Sequence, residues 1–134
     1  MDKSFLTEQQ FKVLKLRRKG LTQKEISHIL GTTRVNVSTI EKRAKDNIEK
    51  SKNTLRKWNK LISPLRIDIL EGVDVLDIPK KIFNAINEKD IKLKYNTIEL
   101  ISIIEREKKS CVHGRSVSKN FIIYVTEQGD ILLE

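Results

Sequence analysis

The sequence predicts an α+β chain, with an all-α N-terminal domain over residues 1–62 followed by a small α+β domain over residues 63–134. Three observations carry that reading. Up to Ile48 the apolar residues recur at helical spacings and are punctuated by Gly20 and Gly31, the pattern of short amphipathic helices. Beyond Pro64 the chain turns isoleucine-rich and mixes alternating with helical periodicity. Charge divides at nearly the same place: residues 1–60 hold 16 Lys+Arg against 6 Asp+Glu, a net +10, whereas residues 61–134 hold 11 against 12.

The first helix is expected over about residues 8–19. Thr7 and Gln10 form a Thr-x-x-Gln capping box, with Leu6 and Phe11 at the spacing of a hydrophobic staple. Phe11, Val13, Leu14 and Leu16 alternate with Lys12, Lys15, Arg17 and Arg18, and Gly20 supplies the stop. A second box, Thr22-x-x-Glu25, opens a helix of about two turns with Ile26, Ile29 and Leu30 as its apolar stripe, ended by Gly31. Thr32-Thr33 offers a further cap, and Val37, Ile40, Ala44 and Ile48 define the buried side of a third helix. A short helix, a tight Gly-containing turn and a longer helix make a helix-turn-helix unit.

At about 100° per residue, the side of the third helix opposite its buried stripe carries Val35, Thr39, Lys42 and Asp46, flanked by Arg34, Asn36, Ser38 and Arg43. That is the chemistry of base reading. Arg forks onto guanine, Asn onto adenine, hydroxyls bond either, and an apolar group meets the thymine methyl. Arg34, Val35, Asn36, Ser38 and Thr39 are therefore the expected base-reading set. Lys42 and Arg43 are expected at phosphates, as are the helix starts capped by Thr22 and Thr33, with Gln23 and Lys24 in the first turn after Thr22. The bland alternative for each residue is a solvated basic face. The concentration of charge on this half of the chain favours a polyanion, and double-stranded DNA over a membrane surface, because no long basic helix with an aromatic and leucine face is present.

The stretch LTEQQFKVLKLRRKGLTQKEISHILGTTRVNVSTIEKRAKDNIEK resembles the Tfx family of archaeal DNA-binding regulators and, more distantly, the helix-turn-helix of sigma-factor region 4. The resemblance is densest in LTQKEI, GTTRVNVS and IEKRAKDNIEKSKNTL and continues more weakly through ILEGVDVLDIPKKIF. It implies a transcription regulator whose third helix enters the major groove, with Arg34, Val35, Ser38 and Thr39 facing the bases and Arg43 toward phosphate. Ser27 stands where such motifs carry Ala; its hydroxyl can bond back to its own helix without altering the fold.

No Gly or Pro interrupts the chain between Ile48 and Pro64, so the third helix is expected to run on, or to restart with little break, to about residue 61. The apolar stripe continues through Leu55, Trp58 and Ile62, with Trp58 read as a core or interface anchor and the helix as a natural dimer seam. In the second domain, Leu65–Leu70 alternates as a strand, Asp77 with Pro79 opens a helix through about Asn87, and Ile91-Lys92-Leu93 reads as a short strand. Asn96-x-x-Glu99 starts a helix with Ile98, Ile101 and Ile104 opposite its polar side, and Phe121–Thr126 with Ile131–Leu133 reads as a hairpin.

The segment SCVHGRS reads as a loop between elements. Cys111 and His113 could offer two metal ligands, but a structural site needs two more, and Gly114, Arg115 and Ser116 could hold a small anion. There is no phosphate-binding Gly-rich loop or paired Cys motif, and the two histidines, His28 and His113, fall in different predicted domains, so neither an enzyme nor a cofactor or metal is expected. A single cysteine fits a reducing compartment, the polar N-terminus MDKSFLTEQQ is unlike a secretory signal, and no apolar run approaches the roughly 20 residues of a membrane span. A cytoplasmic location is expected. Sequence-specific binding of duplex DNA for transcription regulation is the leading functional reading, with a homodimer and contact to the transcription machinery as expected protein interactions. A helical protein-interaction adaptor with non-specific nucleic-acid affinity is the alternative.

Overall fold

The computed structural model describes residues 3–134; Met1 and Asp2, the first two residues of the expected N-terminal domain, lie outside the described residues. The chain divides into two compact units, Met1–Leu55 and Arg56–Glu134. The α+β class expected from the sequence is what forms, with helices leading and strands confined to the second unit.

The first unit is three helices, α1 (Glu8–Arg18), α2 (Gln23–Leu30) and the first part of α3 (Arg34–Ile62). Thr7 and Thr22 both build complete capping boxes: each hydroxyl accepts from the backbone N–H three residues on, and Gln10 or Glu25 reaches back to the cap amide. Such caps satisfy helix-end donors that would otherwise be orphaned, at about 1 kcal/mol each. Gly31 ends α2 at φ +68°, which places the Thr32 amide 3.0 Å from the Ser27 carbonyl and turns the chain into α3. Thr33 then caps α3, its hydroxyl accepting from the Asn36 amide at 3.0 Å.

One or two side chains from each helix fill the small core: Val13 from α1, Ile26 from α2, and Val37 with Ile40 from α3, with Leu16, Leu21 and Leu30 packed around them. Burying each such side chain contributes about 1.5–3 kcal/mol. The Ser27 hydroxyl donates to the Lys24 carbonyl at 2.6 Å, the local bond expected of a serine in a small buried position. Two expected core positions turn outward instead. Phe11 is half exposed, with the Lys15 ammonium 5.5 Å from its ring centroid, and Ile29 is half exposed because two turns of helix present only Ile26 and Ser27 fully to the core.

The third helix does not restart; α3 is one helix of 29 residues. Its apolar stripe is buried only at the N-terminal end. Leu55, Trp58, Leu61 and Ile62 are all at least half exposed, so of the two roles read for Trp58, core or interface anchor, the core one does not form within the chain. No described helix is long and apolar enough to cross a membrane.

In the second unit, β1 (Leu65–Ile69), β4 (Phe121–Val125) and β5 (Ile131–Leu133) form an antiparallel sheet in the order β1-β4-β5, with Ile67 opposite Ile123 and Val125 opposite Ile131. The inward row of β1 and β4 packs on α4 (Ile78–Asn87) and α5 (Thr97–Glu107) through Ile78, Ile82, Leu100 and Ile104. Pro79 occupies the first turn of α4, where a missing N–H costs nothing. Asp77 makes no capping bond; Asp74 caps the short 3-10 turn that precedes it. Asn96 builds the expected capping box on α5, but the buried side of that helix is Leu100 and Ile104, while Ile98 is exposed.

Two expectations are corrected in this unit. Residues 91–93 form no strand, because among the described residues the only backbone bond fastening this segment to the sheet end runs from the Lys94 amide to the Gly129 carbonyl, and one bond is not a ladder. The supposed loop at SCVHGRS is a 3-10 turn (Lys109–Cys111) followed by a two-stranded hairpin, β2 (Val112–His113) and β3 (Ser116–Val117), which Gly114 closes at φ +61°.

Candidate nucleic-acid interface

The exposed side of α3 is assembled from its N-terminal two turns. Arg34, Val35, Asn36 and Thr39 are exposed and Ser38 is half buried, on a helix whose other side is closed off by Val37, Ile40 and Ala44. Val35 is 67 % exposed in the middle of this otherwise polar surface. Lys42 and Arg43 follow one turn later, both exposed, and neither is in an ion pair among the described residues.

Several of these groups are already partly engaged, which fixes what each can still offer. Asn36 donates one amide N–H to the Thr32 hydroxyl at 2.9 Å, leaving its carbonyl oxygen and second N–H free for a base edge. The Thr39 hydroxyl donates to the Val35 carbonyl at 3.1 Å and so keeps only acceptor capacity. The hydroxyls of Thr22 and Thr33 are committed to their caps, so what they present to an anion is the set of amides at the helix start. Lys24 is exposed on the first turn of α2. Gln23 is half buried and joins the two helix starts: its Oε1 accepts from Nη1 of Arg34 at 3.3 Å.

Nothing in the motif pattern singled out Glu41, yet it is the one carboxylate among the buried residues described in this unit, 5 % exposed. Nε of Arg17 lies 2.7 Å from its Oε1 and Nζ of Lys45 lies 3.1 Å from its Oε2, while Nε2 of Gln23 donates to Oε1 at 3.4 Å. Burial alone would raise its pKa, but the hydrogen bonds from Lys45 and Gln23 and the charges of Arg17 and Lys45 outweigh that and hold it below the ordinary carboxylate value. The available signal was positional: Glu41 falls on the buried stripe between Val37 and Ala44, with Lys45 one turn away.

The second unit supplies little chemistry of its own. Cys111 is half buried and His113 exposed, and no cluster of three potential metal ligands forms among the described residues. The Arg115 guanidinium, a candidate anion holder on sequence grounds, is paired with Asp74 at 2.6 Å. That contact raises the Arg115 pKa and lowers the Asp74 pKa.

Comparison with known proteins covers nearly the whole chain. A family model described as the C-terminal part of the TFX DNA-binding protein matches residues 51–133, and a model of region 4 of Sigma-70 matches residues 4–50. A protein of Methanocaldococcus jannaschii, named provisionally as a transcriptional regulatory protein, is 52 % identical over 98 % of this chain and 96 % of its own. One of Pyrococcus horikoshii with the same kind of name is 43 % identical over 92 % of this chain and 85 % of its own. The DNA-binding protein Tfx of Methanothermobacter thermautotrophicus is 39 % identical over 98 % of this chain and 96 % of its own.

Proposed function

This chain belongs to the Tfx family of DNA-binding proteins, and we propose that it regulates transcription by binding duplex DNA sequence-specifically through the exposed side of α3. The observation that carries the reading is the surface from Arg34 to Arg43: exposed groups of every type that reads base edges, on a helix anchored from behind by Val37, Ile40 and Ala44. Val35, 67 % exposed among polar groups, adds the apolar contact that a thymine methyl would take. Arg34, Val35, Asn36, Ser38 and Thr39 take the base edges. Lys42 and Arg43, with Lys24 and the backbone amides of the helix starts at Thr22–Gln23 and Thr33, take the phosphates.

In this reading residues 1–62 are the DNA-binding domain and residues 63–134 the regulatory one, providing dimerisation or contact with the transcription machinery. Trp58, Leu61 and Ile62, exposed along α3, support a homodimer. The chain acts as a binding protein and not as an enzyme; its site offers hydrogen-bonding and charged groups without a nucleophile and base set against each other.

Selection of bound duplexes from a randomised library tests the function directly. The expected result is one preferred sequence bound about 10³-fold or more over random DNA, with an affinity that falls steeply with salt. Uniform affinity for all duplexes would instead support the adaptor with loose nucleic-acid attachment.

A further inference from the structure

The groups that meet between α2 and α3 form a chain of side chains that begins at Arg17 and ends at Arg34. Glu41 sits in the middle of it. Its carboxylate is buried and held by Arg17 and Lys45, so it presents only acceptors. A primary amide has a donating end and an accepting end, and these cannot be exchanged without rotating the group. With Glu41 on one side, the Gln23 amide must turn its NH2 inward, where Nε2 lies 3.4 Å from Oε1 of Glu41. Its oxygen is thereby turned toward the start of α3, where only a donor is a favourable neighbour. Arg34 supplies that donor from Nη1 at 3.3 Å.

We infer that Gln23 is a positioning residue for DNA reading, which aligns the Arg34 guanidinium for a base edge, and that Glu41 sets the sense in which Gln23 does so. This rests on the reading above that Arg34 meets a base. An arginine free in solvent loses side-chain conformational freedom when it docks. Gln23 removes part of that loss beforehand by taking one N–H and leaving the rest of the planar fork for guanine O6 and N7. Gln23 and Arg34 are the first residues of α2 and α3, so the same contact bridges the two helix starts. The role is thus distinct from a phosphate contact by Gln23, which would carry no base preference.

The test uses the full chain, the duplex chosen from a randomised library and that duplex with each base pair replaced in turn. Arg34→Ala is expected to reduce discrimination at one base pair by about 5- to 150-fold. Gln23→Ala should reduce discrimination at that same base pair, by about 3- to 10-fold, and the double variant should lose no more than Arg34→Ala alone. Gln23→Met, which keeps the volume without the hydrogen bonds, should behave as Gln23→Ala and stands in for it should the alanine variant fold poorly. Glu41→Gln, which keeps the shape but can present either end of an amide, should soften the same preference and leave the other base pairs unchanged. Additive losses in the double variant, or a loss from Gln23→Met spread evenly over all sequences, would overturn the inference while leaving the DNA reading intact. An Arg34→Ala variant with every base preference unchanged would remove both.

Discussion

Nε of Arg17 lies 2.7 Å from Oε1 of Glu41, so the last turn of α1 is tied to the N-terminal third of α3 through a carboxylate that is almost wholly buried. Removing it by Glu41→Ala strands two cations, but Arg17 and Lys45 are 41 % and 66 % exposed and regain water. The expected cost is therefore about 1–3 kcal/mol, below the roughly 3–5 of a pair buried on both sides. Its pKa is lowered in the fold, so its stabilisation is complete above the ordinary value near 4.5 and is lost as pH falls through the folded value. Thermal melts should show Glu41→Gln losing less stability than the parent between neutral pH and that acid range. Parallel losses in the two proteins would contradict the assignment.

Thr39 makes a more particular prediction than a simple loss of binding. Since its proton is given to the Val35 carbonyl, it can only accept, and the base groups that donate in the major groove are the amino groups of adenine and cytosine. Thr39→Ala should relax preference at one such position by about 1–3 kcal/mol, measured by competition between single-base variants of the selected duplex. Unchanged discrimination at every base pair would remove Thr39 from the reading set.

Lys42→Ala and Arg43→Ala should each weaken binding to all sequences alike and flatten the dependence of log affinity on log salt by about 0.9 for each phosphate that is no longer neutralised. Titrations at several salt concentrations decide it. An unchanged slope in both variants would place the phosphate-binding groups elsewhere on the basic half of the chain.

If α3 pairs with a second copy through Trp58, Leu61 and Ile62, then Trp58→Glu should shift sedimentation toward the monomer while leaving the helical circular-dichroism signal in place. A parent protein that sediments as a monomer at every concentration would exclude that interface.

Gly129 lies at φ +86°, and a Cβ there would overlap the carbonyl oxygen of Lys92, which belongs to backbone and cannot swing aside. Gly129→Ala should cost more than Gly114→Ala, which meets open space and bears only the left-handed backbone penalty of about 1 kcal/mol. Chemical denaturation of the two variants gives the comparison.

Features whose causes lie within a few residues were legible in the sequence. The capping boxes at Thr7, Thr22 and Asn96 and the stop at Gly31 are each complete in four or five residues, so reading them required no tertiary knowledge. The alternation of Leu65, Ile67 and Ile69 was legible for the same reason. What failed needed a partner from elsewhere: a strand at 91–93 needs a neighbour to ladder with, and whether Ile29, Trp58 or Ile98 is covered depends on what arrives at that surface. The candidate site divides along the same line. Arg34, Val35 and Thr39 could be placed on one side of α3 from their spacing, but the Asn36–Thr32 bond and the meeting of Gln23 with Glu41 could not.

The pairing of β1 with β4 has a kinetic consequence. Helices of the first unit form through bonds four residues apart and pack on partners no more than a few tens of residues away, whereas residues 65–69 must wait for residues 121–125 before their ladder can form. A ribosome makes them in that order, so the first unit is expected to fold in advance and the isoleucines of β1 to remain open while the rest of the sheet is synthesised. Arg66 and Asp68, which alternate with those isoleucines, put charge on the waiting strand and discourage its capture by another unfolded chain.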